Sequence, residues 1–218
     1  MRTVTRRALE AIGRFNDAHP WDHNAHYHRW ILRQLPARFG RALDVGSGSG
    51  DLARLLAGRA GAVDAVDADA AIVARARELT APGAAVTFCV ADAMTGLPPG
   101  PYDVITCVAT LHHLPFGGAL RLLRGHLAPG GTLVVVGLAQ AQTPGDHLLG
   151  AVAIPLNAAL GWIRNKGRTA PRPPSMTAPT RPAAMGFRAV VGEARAVLPG
   201  ARLRRRLFWR YTLVWRAD

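Results

Sequence analysis

A short apolar strand running straight into alternate glycines constrains this chain most: residues 42–50 read Ala-Leu-Asp-Val-Gly-Ser-Gly-Ser-Gly. Glycine lets backbone approach a ligand closely, because no Cβ stands in the way. In an open α/β sheet, the turn from such a strand into a helix is where nucleotides bind. The spacing discriminates between cofactors. A dinucleotide fingerprint, counted from Gly46, needs a small residue where this chain has Asp51. Asp44, at the strand end, is also foreign to that pattern and suits a ligand carrying a positive group such as an ammonium.

The rest of the chain supplies strands and helices in alternation. Strands are expected at 41–46, 62–67, 85–91, 103–109 and 132–138, with helices at 50–58, 69–80 and 117–127. That rhythm implies a parallel sheet joined by right-handed crossovers. Asp69 is placed to N-cap the second of these helices, and Pro129-Gly130-Gly131 to turn the chain into the fifth strand. Asp64 has the opposite parity to Asp67 on one strand and reads as surface.

Two short helices, 5–17 and 24–35, come before this core. After the fifth strand, residues 148–163 form a 16-residue apolar run, about 24 Å as a helix and short of a bilayer span, with Pro155 expected to kink it. Residues 164–183 read as a loop, 184–197 as a helix, and 201–208 and 211–216 as two closing strands, the first half-exposed. With 218 residues the chain suits one domain. Its expected parts are two leading helices at 1–38, an alternating core at 39–138, a helical insertion and loop at 139–183, and a final helix with antiparallel strands at 184–218.

Charge is unevenly spread. Residues 164–218 hold thirteen basic and two acidic groups, whereas 42–163 hold six and nine. A basic tail fits nucleic acid, an anionic membrane or an acidic partner, or simply guards a sheet edge. Cys89 and Cys107 lie in apolar runs without metal-ligand spacing, and no signal peptide is visible, so a reduced, cytoplasmic setting is expected.

The order of motifs then carries a resemblance. After the glycine loop come Asp67 at the end of strand two, Asp92-Ala93-Met94 after strand three, Val-Ala-Thr-Leu-His-His-Leu-Pro at 108–115, and Leu-Ala-Pro-Gly-Gly-Thr-Leu at 127–133. This series resembles class I S-adenosylmethionine-dependent methyltransferases, closest to the small-molecule ubiquinone- and menaquinone-type branch, over residues 40–138. The resemblance implies a Rossmann-like α/β fold: a seven-stranded, mostly parallel sheet with helices on both faces, in which 1–38 is an N-terminal helical lid, 39–138 the cofactor-binding core, and 139–183 an insertion after strand five.

It also implies roles. Asp44 would hold the cofactor's amino group, and Gly46, Ser47, Gly48 and Gly50 would meet its methionine part. Asp67 would accept from the ribose hydroxyls, and Ala68 would pack on the adenine. Asp92 would accept from the adenine amino group, the Ala93 amide would donate to the ring, and Met94 would flank it. The carbonyl of Val108 or Ala109 would lie near the sulfonium.

Methyl transfer to an oxygen or nitrogen sometimes needs a base, and histidine suits that task. His112 and His113 follow strand four. In an extended segment only one of them can face the site. The N-terminal histidines form a second group: His23 and His26, at i and i+3, share a helix face. His23 is a further base candidate, while His26, Tyr27 and Trp30 are placed to touch substrate. No carboxylate or thiolate set completes a metal site there.

The expected function is methyl transfer to O, N or C of a small lipophilic or aromatic metabolite. Two alternatives remain: a nucleic-acid methyltransferase using the basic tail, and a cofactor-binding scaffold without transfer. The first lacks the Asn/Asp-Pro-Pro-Tyr/Phe signature of enzymes that methylate exocyclic base amines, and no stable nucleic-acid partner is expected. The 148–163 run reads first as a pocket wall or a core helix, and less readily as an interfacial helix resting on a membrane, with Arg164, Lys166 and Arg168 at its end.

Overall fold

The computed structural model describes residues 2–176 and 181–218, with backbone alone for 2–6, 8 and 9. Two helices lead, α1 (Arg2–Ala18) and α2 (His23–Leu32). The core follows as β1 (Phe39–Val45), α3 (Asp51–Ala57), β2 (Ala60–Asp67), α4 (Ala70–Glu78), β3 (Val86–Val90), β4 (Tyr102–Val108), α5 (Phe116–Gly125) and β5 (Leu127–Leu138). The chain closes with α6 (Pro144–Arg164), α7 (Phe187–Val197), β6 (Arg202–Arg205) and β7 (Arg210–Arg216).

The seven strands make one sheet in the order β3-β2-β1-β4-β5-β7-β6. β1 to β5 pair in parallel, and β7 runs antiparallel to both β5 and β6. The central strands are mostly apolar on both sides because both faces of the sheet are covered. On one face Leu43, Val45, Ile105 and Cys107 pack beneath α5 and α7, through Leu120, Leu123, Val190 and Ala194. On the other, Ala42, Val63, Ala65 and Val104 pack beneath α2, α3 and α4, through Ile31, Leu56 and Val73. Each such fully buried Leu or Ile side chain contributes about 1.5–3 kcal/mol.

The strand order reverses direction of growth at β1, which has β2 on one side and β4 on the other. A crevice therefore opens at the carboxyl ends of these strands, where ligands of open α/β sheets bind. The glycine loop leaves β1 at that point.

Several local expectations need correction. β5 begins at Leu127, not 132, because Pro129–Gly131 sits within it as an irregularity in the β4 register. β6 covers only Arg202–Arg205, since the hairpin turn takes up the residues that follow. Asp64 is not a free surface acid. It accepts from Tyr102 Oη at 2.8 Å and Arg41 Nη2 at 2.9 Å, and this cation and hydroxyl hold it at the sheet rim.

The apolar run belongs to a 21-residue helix that continues unbroken through Pro155, long and apolar enough to cross a membrane by length and composition alone. Its extra N-terminal turn comes from a capping box. Thr143 Oγ1 accepts from the Asp146 backbone N–H while the Asp146 carboxylate accepts from the Thr143 N–H. Asp69 caps α4 as expected, accepting from the Ala71 and Ile72 amides. Of the expected 164–183 loop, residues 177–180 lie outside the described residues.

Candidate functional site

The loop after β1 is pinned to β2: the Gly46 and Ser47 amides both donate to the Val66 carbonyl, at 2.8 and 3.0 Å. Gly46, Gly48 and Gly50 all have positive φ, at 72°, 51° and 77°, where a side chain would be strained. A Cβ on Gly46 would overlap Thr110, whereas one on Gly48 would meet nothing within 4 Å. The loop therefore turns tightly against the protein and presents bare backbone at Gly48 to open space. Ser47 Oγ is buried without a hydrogen-bond partner among the described residues.

Asp44 is 2 % exposed at the end of β1. Its carboxylate accepts from the Thr106 hydroxyl on β4 at 2.7 Å. Burial pushes its pKa from 3.8 up to about 7. The Thr106 hydrogen bond opposes that rise and the nearby Asp67 carboxylate adds to it. A buried carboxylate with no cation beside it is costly, and an arriving cation restores its charge. Asp67, one strand over, accepts from the Gly48 amide at 2.9 Å and the Asp69 amide at 3.0 Å. It thereby braces the glycine loop from β2.

Asp92 is exposed and accepts from the Met94 amide through Oδ1 at 2.6 Å, an Asx turn that shapes the chain after β3. Ala68 is exposed nearby, and Ala93 and Met94 are half-buried. At the end of β4, Ala109 has a positive φ of 52°, and its amide donates to Val136 O on β5 at 2.7 Å. A non-glycine residue held there costs of order 1–3 kcal/mol and clusters at functional sites. Every nominated cofactor residue thus lies at or just after the carboxyl end of β1, β2, β3 or β4, along one edge of the sheet.

The histidines do not form one cluster. His112 and His113 lie in a 3₁₀ turn, Leu111–His113, not an extended segment, so their rings stand 4.1 Å apart. His113 is exposed. Burial pulls the His112 pKa down to about 4, with His113 and Arg210 adding to the effect and a hydrogen bond to the Arg181 backbone opposing it. His23 Nε2 and Trp21 Nε1 both meet Asn157 Oδ1, on the buried side of α6. Burial lowers the His23 pKa, partly offset by Asn157.

His26 packs against Phe208 at 5.3 Å between ring centroids, and the His23 ring stacks on the same phenyl at 5.7 Å. The Tyr27 hydroxyl donates to Leu207 O at 2.7 Å, and burial pushes its pKa up to about 12. His26, Tyr27 and Trp30 line a cavity of about 650 Å³ together with Arg29, Arg33 and Arg164. The structure thus brings the three nominated substrate residues to one cavity, beside α6.

Sequence reasoning missed four residues here: Thr106, Asn157, Phe208 and Arg210. Thr106 and Asn157 sit within apolar runs and carry no signal without their partners. Phe208 and Arg210 belong to the β6–β7 hairpin, which the sequence shows only as basic and apolar alternation.

A methyltransferase-domain family model matches residues 42–131. An uncharacterized methyltransferase of Mycobacterium tuberculosis is 35 % identical over 203 residues, covering 91 % of this chain and 98 % of that protein. The chain belongs to the methyltransferase-domain family. The match to a ubiquinone biosynthesis O-methyltransferase of Burkholderia cenocepacia is 36 % identical over 123 residues, 49 % of this chain and 53 % of that one.

Among solved structures, the N-methyltransferase NodS of Bradyrhizobium japonicum bound to S-adenosylhomocysteine aligns with a TM-score of 0.60 at 17 % identity. It covers 96 % of this chain and 97 % of that one, a likeness of fold. The methyltransferase depends on S-adenosylmethionine, and its family includes small-molecule methyltransferases. The loop fits that cofactor. Gly48 offers unshielded backbone, and among the described residues Ser47 Oγ has no hydrogen-bond partner and Asp44 no paired cation of the kind the methionine ammonium supplies.

Proposed function

We propose that this methyltransferase acts on an oxygen, nitrogen or carbon of a small lipophilic or aromatic metabolite, with the cofactor lying along the carboxyl ends of β3, β2, β1 and β4. The observation that carries the reading is Asp44, buried at the end of β1 with no paired cation among the described residues, where the loop that bares the Gly48 backbone begins. S-adenosylmethionine supplies a methyl group on a sulfonium, a good leaving group.

The chain's own residues bind and orient. Asp44 holds the ammonium, with the Thr106 hydroxyl fixing its carboxylate. The Gly46–Gly50 backbone meets the methionine part, and Ser47 Oγ donates there. Asp67 receives the ribose hydroxyls with the lone pairs left by the Gly48 and Asp69 amides. Asp92 and the Ala93 amide read the adenine edge, between Ala68 and Met94. The Ala109 carbonyl faces the sulfonium. With the donor fixed, the acceptor must approach in line to about 3–3.5 Å.

The acceptor side lies beyond β4. There α1 and α2 act as a lid, and His26, Tyr27 and Trp30 form one wall of the cavity. Where the acceptor must lose a proton, the base role falls to His113. His112 is too weak a base at about 4, and Asn157 occupies His23 Nε2.

The outer face of α6 suits peripheral contact with an anionic bilayer. Leu148, Val152, Leu156, Trp162 and Ile163 are all exposed along it. Their spacing follows one helical stripe, and Arg164, Lys166 and Arg168 follow at its end. Lipophilic acceptors would then reach the cavity from the membrane surface.

Release of S-adenosylhomocysteine tests the reading, with organic-soluble metabolite fractions, RNA, or no acceptor supplied. Turnover with the metabolite fractions supports it. Turnover with RNA alone supports the nucleic-acid alternative, and cofactor binding without turnover in any arm supports the scaffold.

A further inference from the structure

The β6–β7 hairpin is strained where it meets the lid. Phe208 and Trp209 both have positive φ, 58° and 59°, a conformation that bulky residues rarely adopt. The turn is held there because Phe208 is buried at 1 %, with Trp21 and Ala153 packed around it. Its effect is to deliver Arg210, the first residue of β7, to the position opposite Leu138 at the carboxyl end of β5. That point lies beyond β4, on the side of the sheet away from Asp67 and Asp92.

Arg210 has no counter-ion within salt-bridge distance among the described residues. Nη2 donates to Asn24 Oδ1 at 3.0 Å and Nη1 to Phe208 O at 3.2 Å, both neutral acceptors. Nε is buried with no hydrogen-bond partner among the described residues. The nearby acid is Asp22, whose Oδ1 is taken by the Asn24 and Ala25 amides at the start of α2. The neighbouring cations are already committed. Arg205 Nε lies 3.0 Å from Asp146 Oδ1, while Arg206 donates to Thr212 and lies over the Trp30 ring.

A guanidinium taken out of water without an anion is expensive, and it is built to take a carboxylate side-on. Arg210 lines a small cavity of about 70 Å³ with Phe187, Tyr211, Arg206 and the Arg205–Asp146 pair, room for a carboxylate at the end of an apolar body; with Asp146 paired to Arg205, the lining keeps a net positive charge. Burial also draws the Arg210 pKa down, as it does those of His23 and His112 beside it.

We propose that Arg210 receives the carboxylate of an acidic acceptor, so that the substrate is a lipophilic or aromatic acid anchored by its anionic end. This rests on the methyl-transfer reading above and narrows its substrate class. The bound carboxylate accepts from Nε and one Nη, and the apolar remainder extends toward the carboxyl end of β4.

The test is calorimetric titration of benzoate and hexanoate into the protein saturated with S-adenosylhomocysteine, with benzamide, hexanamide and inorganic phosphate as controls. The acids should bind, the amides at least tenfold more weakly, and phosphate no better than the amides. Arg210→Met should weaken the acids at least tenfold while S-adenosylhomocysteine affinity stays within twofold, and Arg210→Lys should recover part of the loss. Near-UV circular dichroism shows that both variants are folded.

Equal binding of acids and amides overturns the proposal, as does unchanged acid binding by folded Arg210→Met. Phosphate binding above the acids also overturns it. Loss of S-adenosylhomocysteine binding in Arg210→Met would assign the guanidinium to the cofactor instead. Failure of the wild type to bind S-adenosylhomocysteine would strike the cofactor reading itself.

Discussion

The Thr106 hydroxyl on β4 donates to the buried Asp44 carboxylate on β1 at 2.7 Å, tying the two strands together where the sheet changes direction. The pair holds a carboxylate in place for a cation that the protein does not itself provide. Because burial pushes the Asp44 pKa up to about 7, the ligand-free site takes up a proton as pH falls through that value. Cofactor affinity should therefore rise as pH increases from 6 to 8, then level off. A flat profile by calorimetry would remove Asp44 from the ammonium site.

Stability should respond in the opposite sense. A raised acid pKa means that the native state keeps a proton the unfolded chain releases. The contribution of Asp44 is thus full below 3.8 and is lost as pH rises toward 7. Asp44→Asn removes the buried charge and keeps the shape. It should raise the ligand-free Tm at pH 8 by about 2–4 °C, the shift expected for ~1 kcal/mol in a chain of this size. The same variant should lose at least tenfold in S-adenosylmethionine affinity, about 1.4 kcal/mol. A lower Tm together with unchanged affinity would show that the carboxylate is purely structural.

Asp67→Ala removes both the ribose acceptor and the brace on the Gly48 amide. Cofactor binding should weaken by about 1–3 kcal/mol. Asp67→Asn keeps one acceptor oxygen and should lose less. Equal losses in the two variants would point to loop collapse rather than lost ribose contacts, and unchanged affinity would sink the ribose assignment.

The loop, its acids and the parallel core strands were legible in sequence because they depend on local chemistry: glycines where φ is positive, carboxylates at strand ends, apolar runs in a doubly covered sheet. The acceptor side was not. Asn157 matters only because α6 brings it to Trp21 and His23, more than 130 positions away. Arg210 fell between the two expected closing strands, one more arginine of the basic tail, whereas the structure makes it the first residue of β7. The 16-residue limit on α6 failed because the Thr143–Asp146 capping box recruits polar residues that carry no hydropathy signal.

For the acceptor-side histidines, His113→Ala should lower turnover by about 10²-fold with cofactor affinity unchanged, the scale of a general base. A loss under fivefold would mean that the acceptor needs no base from His113. His23→Ala should reduce thermal stability through Asn157 and Trp21, and its effect on turnover should be recovered by His23→Gln, which can also donate to Asn157.

Replacing Leu148, Val152 and Ile163 together by serine should leave Tm nearly unchanged, since all three are exposed. It should abolish co-sedimentation with phosphatidylglycerol vesicles, which in the wild type should weaken with salt. Wild-type protein that ignores such vesicles at low salt would refute the bilayer contact. Dimer dissociation in the triple variant would instead assign the stripe to a second copy of the chain.

The most direct test of the central claim is calorimetric titration of S-adenosylmethionine into the wild type and into Asp44→Ala at pH 8. The glycine-loop site predicts saturable one-to-one binding that the substitution weakens at least tenfold in a folded protein. Equal affinity in the two proteins would contradict it.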